Sequence, residues 1–237
     1  MKGSADALIL TCEHGGHSVP RELQPLFRGH TALLQSHRGW DPGALVMARY
    51  LARKLDVPLY AASISRLVVD LNRSPSHRGL FSSVTGDCSG LERKHILDRY
   101  YTPYRREVEQ AVSRHLKSRL ALTHVSVHSF TPVLNGHRRN ADIGILYNPD
   151  RAREAIFAQR LRLALLETDP DLCVRCNYPY RGSADGFTTW LRRLTPQSLY
   201  TGIELELNQS IVAKPAARWV ALRDQVRTAL RTALNRN

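Results

Sequence analysis

Short apolar runs alternate with amphipathic stretches along almost the whole chain of 237 residues, and this alternation most constrains the fold. The runs at 6–12 (holding ALILTC), 58–62, 66–71, 122–128, 142–147, 173–177 and 200–207 have the length and β-branched content of strands. Between them, 42–55, 89–119, 151–168, 185–194 and 214–235 carry apolar residues at three- and four-residue steps and read as helices. Strands that alternate with helices predict an α/β fold: one domain over 1–237, with a mixed, mostly parallel central sheet flanked by helices on both faces. Asp41 is placed to cap the helix at 42–55, with Pro42 in its first turn. Ser89 is placed to cap the helix at 89–119, which Pro103 should kink or divide.

A hydrophobic share of 43% is ordinary for a globular protein. No apolar run approaches the roughly 20 residues that span a bilayer, so no membrane partner is expected. ALILTC leads into charged, Gly-rich sequence and reads as a first strand, not a signal peptide. Of the cysteines at 12, 88, 173 and 176, only CVRC has metal or redox spacing, and a structural zinc site would need a second such pair. Reduced thiols in a cytoplasmic protein fit this usage. The net charge of +13 suits either nucleic acid or small anionic substrates. The arginines are scattered over helices and form no dense tract with aromatics, which argues against nucleic acid.

Three stretches carry the candidate chemistry. In VSVHSFTPV a strand reaches His128, and in CEHGGHSVP the first strand runs into His14, followed by two glycines. Open α/β sheets bind ligands at the carboxyl ends of their strands. Two histidines brought to one such edge are the start of a mononuclear zinc site, which takes three protein ligands. Asp41, Glu13 and His17 are the candidates for the third. In SRLVVDLNRSPSHRG, Asn72 and Arg73 form a fork of donors suited to a carboxylate; the alternative is an arginine tied to Asp70. In TGIELELNQS, strand periodicity sets Glu204 and Glu206 on one face and Ile203, Leu205 and Leu207 on the other. Two carboxylates on one face of an apolar strand are costly to bury without a role, and one of them could act as a base toward water activated by a metal.

Together CEHGGHSVP, RLVVDLNRS, VHSFTP, DIGILYNPD, NYPYRGSADGFTT and GIELELNQS resemble, in order, the motifs of the N-formylglutamate amidohydrolase family, distantly similar to zinc carboxypeptidases and aspartoacylases. The resemblance runs from residue 9 to about 210. It implies a zinc-carboxypeptidase-like fold and a hydrolase with one zinc ion. The expected substrate is a small N-acyl amino acid, acidic in its side chain. Matched by position, His14 and His128 are the metal histidines, Asn72 and Arg73 hold the substrate carboxylate, and Glu206 is the catalytic glutamate with Glu204 as second choice. The relatives place a glutamate three residues after the first histidine, where this chain has His17. That leaves the third ligand open among Asp41, Glu13 and His17, with Asp41 preferred because a strand-to-helix loop holding WDPG would project it near the same sheet edge. Arg138 and Arg181 are the candidates for stabilising the oxyanion. Rival expectations are a basic nucleic-acid-binding protein and a non-catalytic ligand-binding relative.

Overall fold

The computed structural model describes residues 7–118, 120–212 and 216–235. Position 6 of the first expected strand, 119 of the second expected helix and 214–215 of the last lie outside the described residues. In chain order come strand β1 (Ala7–Cys12), a 3-10 helix (Arg21–Phe27), helices α1 (Thr31–Gln35) and α2 (Ala44–Leu55), and β2 (Leu59–Ala61). Then follow α3 (Gly90–Ile96), a π-helical turn (Leu97–Tyr101), α4 (Thr102–Lys117), β3 (Leu122–Phe130), the hairpin β4 (Val133–Leu134) and β5 (His137–Arg138), and β6 (Ile143–Leu146). The chain continues through α5 (Ala152–Thr168), β7 (Val174–Cys176), α6 (Phe187–Leu194), β8 (Tyr200–Asn208), α7 (Gln209–Val212) and α8 (Ala216–Asn235).

Six strands form one sheet in the order β2-β1-β3-β8-β6-β7. All neighbours are parallel except β6 and β8, so the sheet is mixed and mostly parallel, as expected. On one face Leu8, Leu10, Val125, Val127, Ile145, Ile203, Leu205 and Leu207 pack against α2, α5 and α8. Each such side chain contributes roughly 1.5–3 kcal/mol by leaving water. A one-residue slip of β3 or β8 would turn this row outward, so the apolar face fixes the register. The other face carries a second core, in which Ile9, Leu122 and Tyr200 meet α4, α6 and the segment around Val68. Toward the carboxyl ends of β1, β3 and β8 this face becomes polar: Glu13, Ser126, His128, Glu204 and Glu206 are all buried there. Among the described residues, no helix is long and apolar enough to cross a membrane.

Three expectations are corrected. Residues 66–71 are buried but form turns, not a strand. Side chains and loop backbone take the place of a ladder: the Leu67 carbonyl accepts from the Ser82 and Thr85 hydroxyls, and Asp70 N–H donates to the Leu80 carbonyl. Asp41 does not cap α2. Gly43 is the N-cap, in the left-handed region at φ 83°, and a Cβ there would meet Val212 Cγ1 at 2.6 Å. β3 does not stop at His128 but runs on to Phe130. The long helix at 89–119 is interrupted by the π-helical turn Leu97–Tyr101, and Pro103 follows that turn in the first turn of α4. Ser89 does cap, forming a reciprocal capping box with Glu92.

Candidate active site

β3 and β8 lie parallel with Ser126 opposite Glu204 and His128 opposite Glu206. Residues paired in this way project from the same face, so the strand register alone sets an imidazole beside a carboxylate. On the far side of Glu206, β6 contributes Gly144. A Cβ on Gly144 would come within 2.0 Å of the Tyr178 carbonyl, so only glycine lets the loop after β7 close over this end of the sheet.

His14 follows β1 by two residues and meets His128 with ring centroids 5.0 Å apart. Asp41 lies between them, tied to the same loop by its N–H, which donates to the His14 carbonyl at 2.9 Å. Both rings turn Nδ1 toward Asp41 Oδ2, at 3.5 Å from His14 and 2.9 Å from His128. Both turn Nε2 toward a second carboxylate. His14 Nε2 donates to Asp70 Oδ1 at 2.7 Å. His128 Nε2 is 2.9 Å from Ser126 Oγ and 3.3 Å from Glu13 Oε2. His128 Nδ1–H donates to Asp41 Oδ2 here; a ring held from behind at Nε2 would, on losing that Nδ1 proton, present Nδ1 to a metal ion, the usual arrangement of a metal-binding histidine. His14, Asp41 and His128 are exposed by only 2%, 4% and 3%. Among the described residues they form one group whose ligand atoms all lie within 4.8 Å of one another. His14 Nδ1 is buried with no hydrogen-bond partner.

The charges are strongly coupled. Burial alone would lower both imidazoles, but the carboxylates around them outweigh it and hold both above their ordinary value. Burial alone would raise Asp41; the two histidines outweigh it and hold the carboxyl far below its usual range. Glu206 behaves differently. Burial pushes it up to about 7, and the charges of Asp41 and Glu204 add to the rise. Its Oε2 is buried without a hydrogen-bond partner. His124, two residues before Ser126, is a satisfied core histidine. Its Nε2 meets Thr11 Oγ1 at 2.8 Å, its Nδ1 meets the Tyr200 hydroxyl at 2.7 Å, and burial lowers it to about 4.

These groups line a cavity of about 390 Å³ whose walls also carry His37, Arg38, Arg66, Asn72, Arg73, Tyr180, Arg181, Asp185 and Gln209. Arg73 Nη1 donates to the Asp185 carbonyl at 2.8 Å and lies beside Asp70, with Nε 3.9 Å from Oδ2. Asn72 Oδ1 accepts from Phe187 N–H at 2.6 Å. Glu204 accepts from the Thr188 hydroxyl at 2.6 Å.

Of the residues singled out from sequence, the cavity gathers His14, Asp41, Asn72, Arg73, His128, Arg181, Glu204 and Glu206. Glu13 lies behind His128. His17 is exposed and stacks on Trp40 at 5.0 Å. Arg138 is exposed on the β4–β5 hairpin and does not line the cavity. Arg66 was not anticipated, yet it joins two of the site's carboxylates, with Nη2 2.7 Å from Asp70 Oδ2 and Nη1 3.5 Å from Asp41 Oδ1. Its spacing of four from Asp70 was the available signal. Tyr180 and Asp185 lie within the stretch NYPYRGSADGFTT, which carried part of the family resemblance, but their place in the cavity wall depends on tertiary packing that folds this loop back over the sheet.

Residues 6–213 match the family model described as N-formylglutamate amidohydrolase. The gene product Atu2144 from Agrobacterium tumefaciens has a similar crystal structure at 28% identity, with a TM-score of 0.77 over 97% of this chain and 96% of that one. The N-formylglutamate amidohydrolase from Ralstonia eutropha JMP134 shares the fold at 17% identity, with a TM-score of 0.70 over 98% of this chain and 94% of that one. Among curated proteins none is significantly similar. The chain belongs to the N-formylglutamate amidohydrolase family, a family of amide hydrolases.

Proposed function

We propose that this family member hydrolyses the linear amide of a small N-acylated acidic amino acid, N-formylglutamate first among the candidates, with a single zinc ion held by His14, Asp41 and His128. The observation that carries this reading is the convergence of those three groups with Glu206 in one cavity. Two imidazoles and a carboxylate suit zinc, which takes three protein ligands at a catalytic site and leaves a position open. The buried Nδ1 of His14, 3.5 Å from Asp41 Oδ2 and in no hydrogen bond, fits the same donor set. When bound, the ion would supply Lewis acidity toward water and the acyl oxygen.

Glu206 is the base in this reading. A buried carboxylate that has no hydrogen-bond partner on Oε2 and lies in the same cavity as the proposed ligands can take a proton from the attacking water and give it up again to the departing amine. Water adds to the acyl carbon, the C–N bond breaks, and the proton held on Glu206 goes to the amine, releasing a carboxylic acid (formate from a formyl group) and the amino acid. Glu204, beside Glu206 on the same face of the strand, is held by the Thr188 hydroxyl. Asn72 and Arg73 bind a substrate carboxylate. Arg181 is the candidate for the developing oxyanion; Arg138, exposed on its hairpin, is no longer one. Arg38 is a further cation of the cavity wall and favours an acidic substrate; Arg66 is paired with Asp70 and Asp41.

The test is amine release from N-formyl and N-acetyl derivatives of glutamate, aspartate and neutral amino acids, with metal analysis of the same purified protein. The expected result is fastest release from an acidic N-acyl substrate and zinc near one equivalent. No release from any member of the panel by zinc-loaded protein would contradict the assignment.

A further inference from the structure

Arg105 lies on α4 and is only 3% exposed. Its guanidinium sits 4.0 Å from the Phe187 ring and 5.1 Å from the rings of Tyr101 and Trp190. A cation so far from water is costly unless its donors are used. Arg105 Nη1 donates to the carbonyls of Leu71, at 3.3 Å, and Arg73, at 3.1 Å, while its Nη2 is buried without a hydrogen-bond partner. These two carbonyls flank Asn72. The Tyr101 hydroxyl donates to the same Arg73 carbonyl at 2.7 Å. Phe187, whose ring covers the guanidinium, holds Asn72 Oδ1 with its N–H, which leaves the Asn72 amide nitrogen for the cavity. Trp190 Nε1 donates to Glu109 Oε1 at 2.8 Å and so ties α6 to α4. Tyr101 ends the π-helical turn, and Arg105, four residues on, shares its helix face. Such turns recur where a helix serves a site.

We infer that Tyr101 and Arg105 are positioning residues for substrate binding: they pin the backbone on both sides of Asn72 and so aim Asn72 and Arg73 at the substrate carboxylate. The inference rests on the proposed role of Asn72 and Arg73 as the carboxylate clamp. Neither residue lines the cavity, so both act through the loop. A purely structural role for the same groups would lower the melting temperature and leave the Michaelis constant alone.

The experiment measures kcat and KM of Tyr101→Phe, Arg105→Lys, Arg105→Met and Arg73→Lys on N-formylglutamate and on its α-amide, with zinc content and a thermal melt for each. Tyr101→Phe removes one hydrogen bond and keeps the ring, so it stays informative even if Arg105→Met does not fold. The loss of one such bond should raise KM for the free acid about 2- to 10-fold. Zinc and kcat should hold, the α-amide should be little affected, and Arg105→Lys should be milder than Arg105→Met. An unchanged KM in Tyr101→Phe and Arg105→Lys, beside a raised KM in Arg73→Lys, overturns the inference alone. An unchanged KM in Arg73→Lys contradicts the clamp itself, and the inference with it.

Discussion

His128 and Glu206 face each other across adjacent parallel strands, one in β3 and one in β8. The same register sends Val127 and Leu205 into the core on the opposite face. Hydrophobic packing on one side of the sheet therefore sets the spacing of the chemical groups on the other. Moving either strand by one residue would expose the core row and separate the pair together, so fold and site are specified by one pattern.

Glu206→Gln should keep zinc and the fold but lose about 10²–10⁴-fold in kcat, the usual worth of a general base. Glu204→Gln should cost less, since Glu204 already accepts a hydrogen bond from Thr188. Steady-state kinetics on the two variants checks this. The opposite ranking would transfer the base role to Glu204.

His14→Ala and His128→Ala should each lose zinc while remaining folded, as read by metal analysis and circular dichroism. Asp70→Asn should keep the shape of the group behind His14 but weaken its hold on the ring. Loss of such an outer partner typically costs 10- to 100-fold in metal affinity. Competition with a chromophoric chelator measures that loss, and an unchanged affinity would remove Asp70 from the support of the site.

The raised Glu206 also predicts a pH-dependent stability in metal-free protein. Its folded value, about 7, lies above the 4.5 of an ordinary glutamate. A group raised in this way stabilises the fold fully below its unfolded value, and that contribution is lost as pH rises through the folded value. Between about pH 5.5 and pH 8.5 the loss amounts to about 2 kcal/mol. Glu206→Gln removes the charge, so its melting temperature relative to the parent should be higher at the upper pH. Thermal melts in chelator at both pH values test this, and a pH-independent difference would contradict a buried, raised carboxyl.

The strands at the centre of the sheet were legible because burial on one or both faces writes itself as apolar alternation, and β1, β3 and β8 carry it clearly. Residues 66–71 carry the same signal, but apolar content reports burial and not hydrogen-bond partners, and serine and threonine hydroxyls from 82 and 85 supply them there. The position of Pro103 indicated a break; the π-helical turn before it has no comparable signature in composition. Asp41 was legible as a candidate ligand and as a cap, two uses of one carboxylate, and the left-handed Gly43 leaves only the first open. Arg138 and Arg181 were both oxyanion candidates, although only Arg181 stands within a stretch that carries the family resemblance. One lies on an exposed hairpin and the other on a loop folded back over the sheet, and long-range packing sets that difference.

The central claim, a zinc-dependent amide hydrolase built on His14, Asp41 and His128, is tested most directly by zinc titration of chelator-treated protein, followed by release of formate from N-formylglutamate. Activity should be absent after chelation, rise linearly with added zinc and level off at one equivalent, and the same titration of Asp41→Asn should show weakened binding. Full activity in the chelated protein, or an unaltered titration in Asp41→Asn, would contradict it.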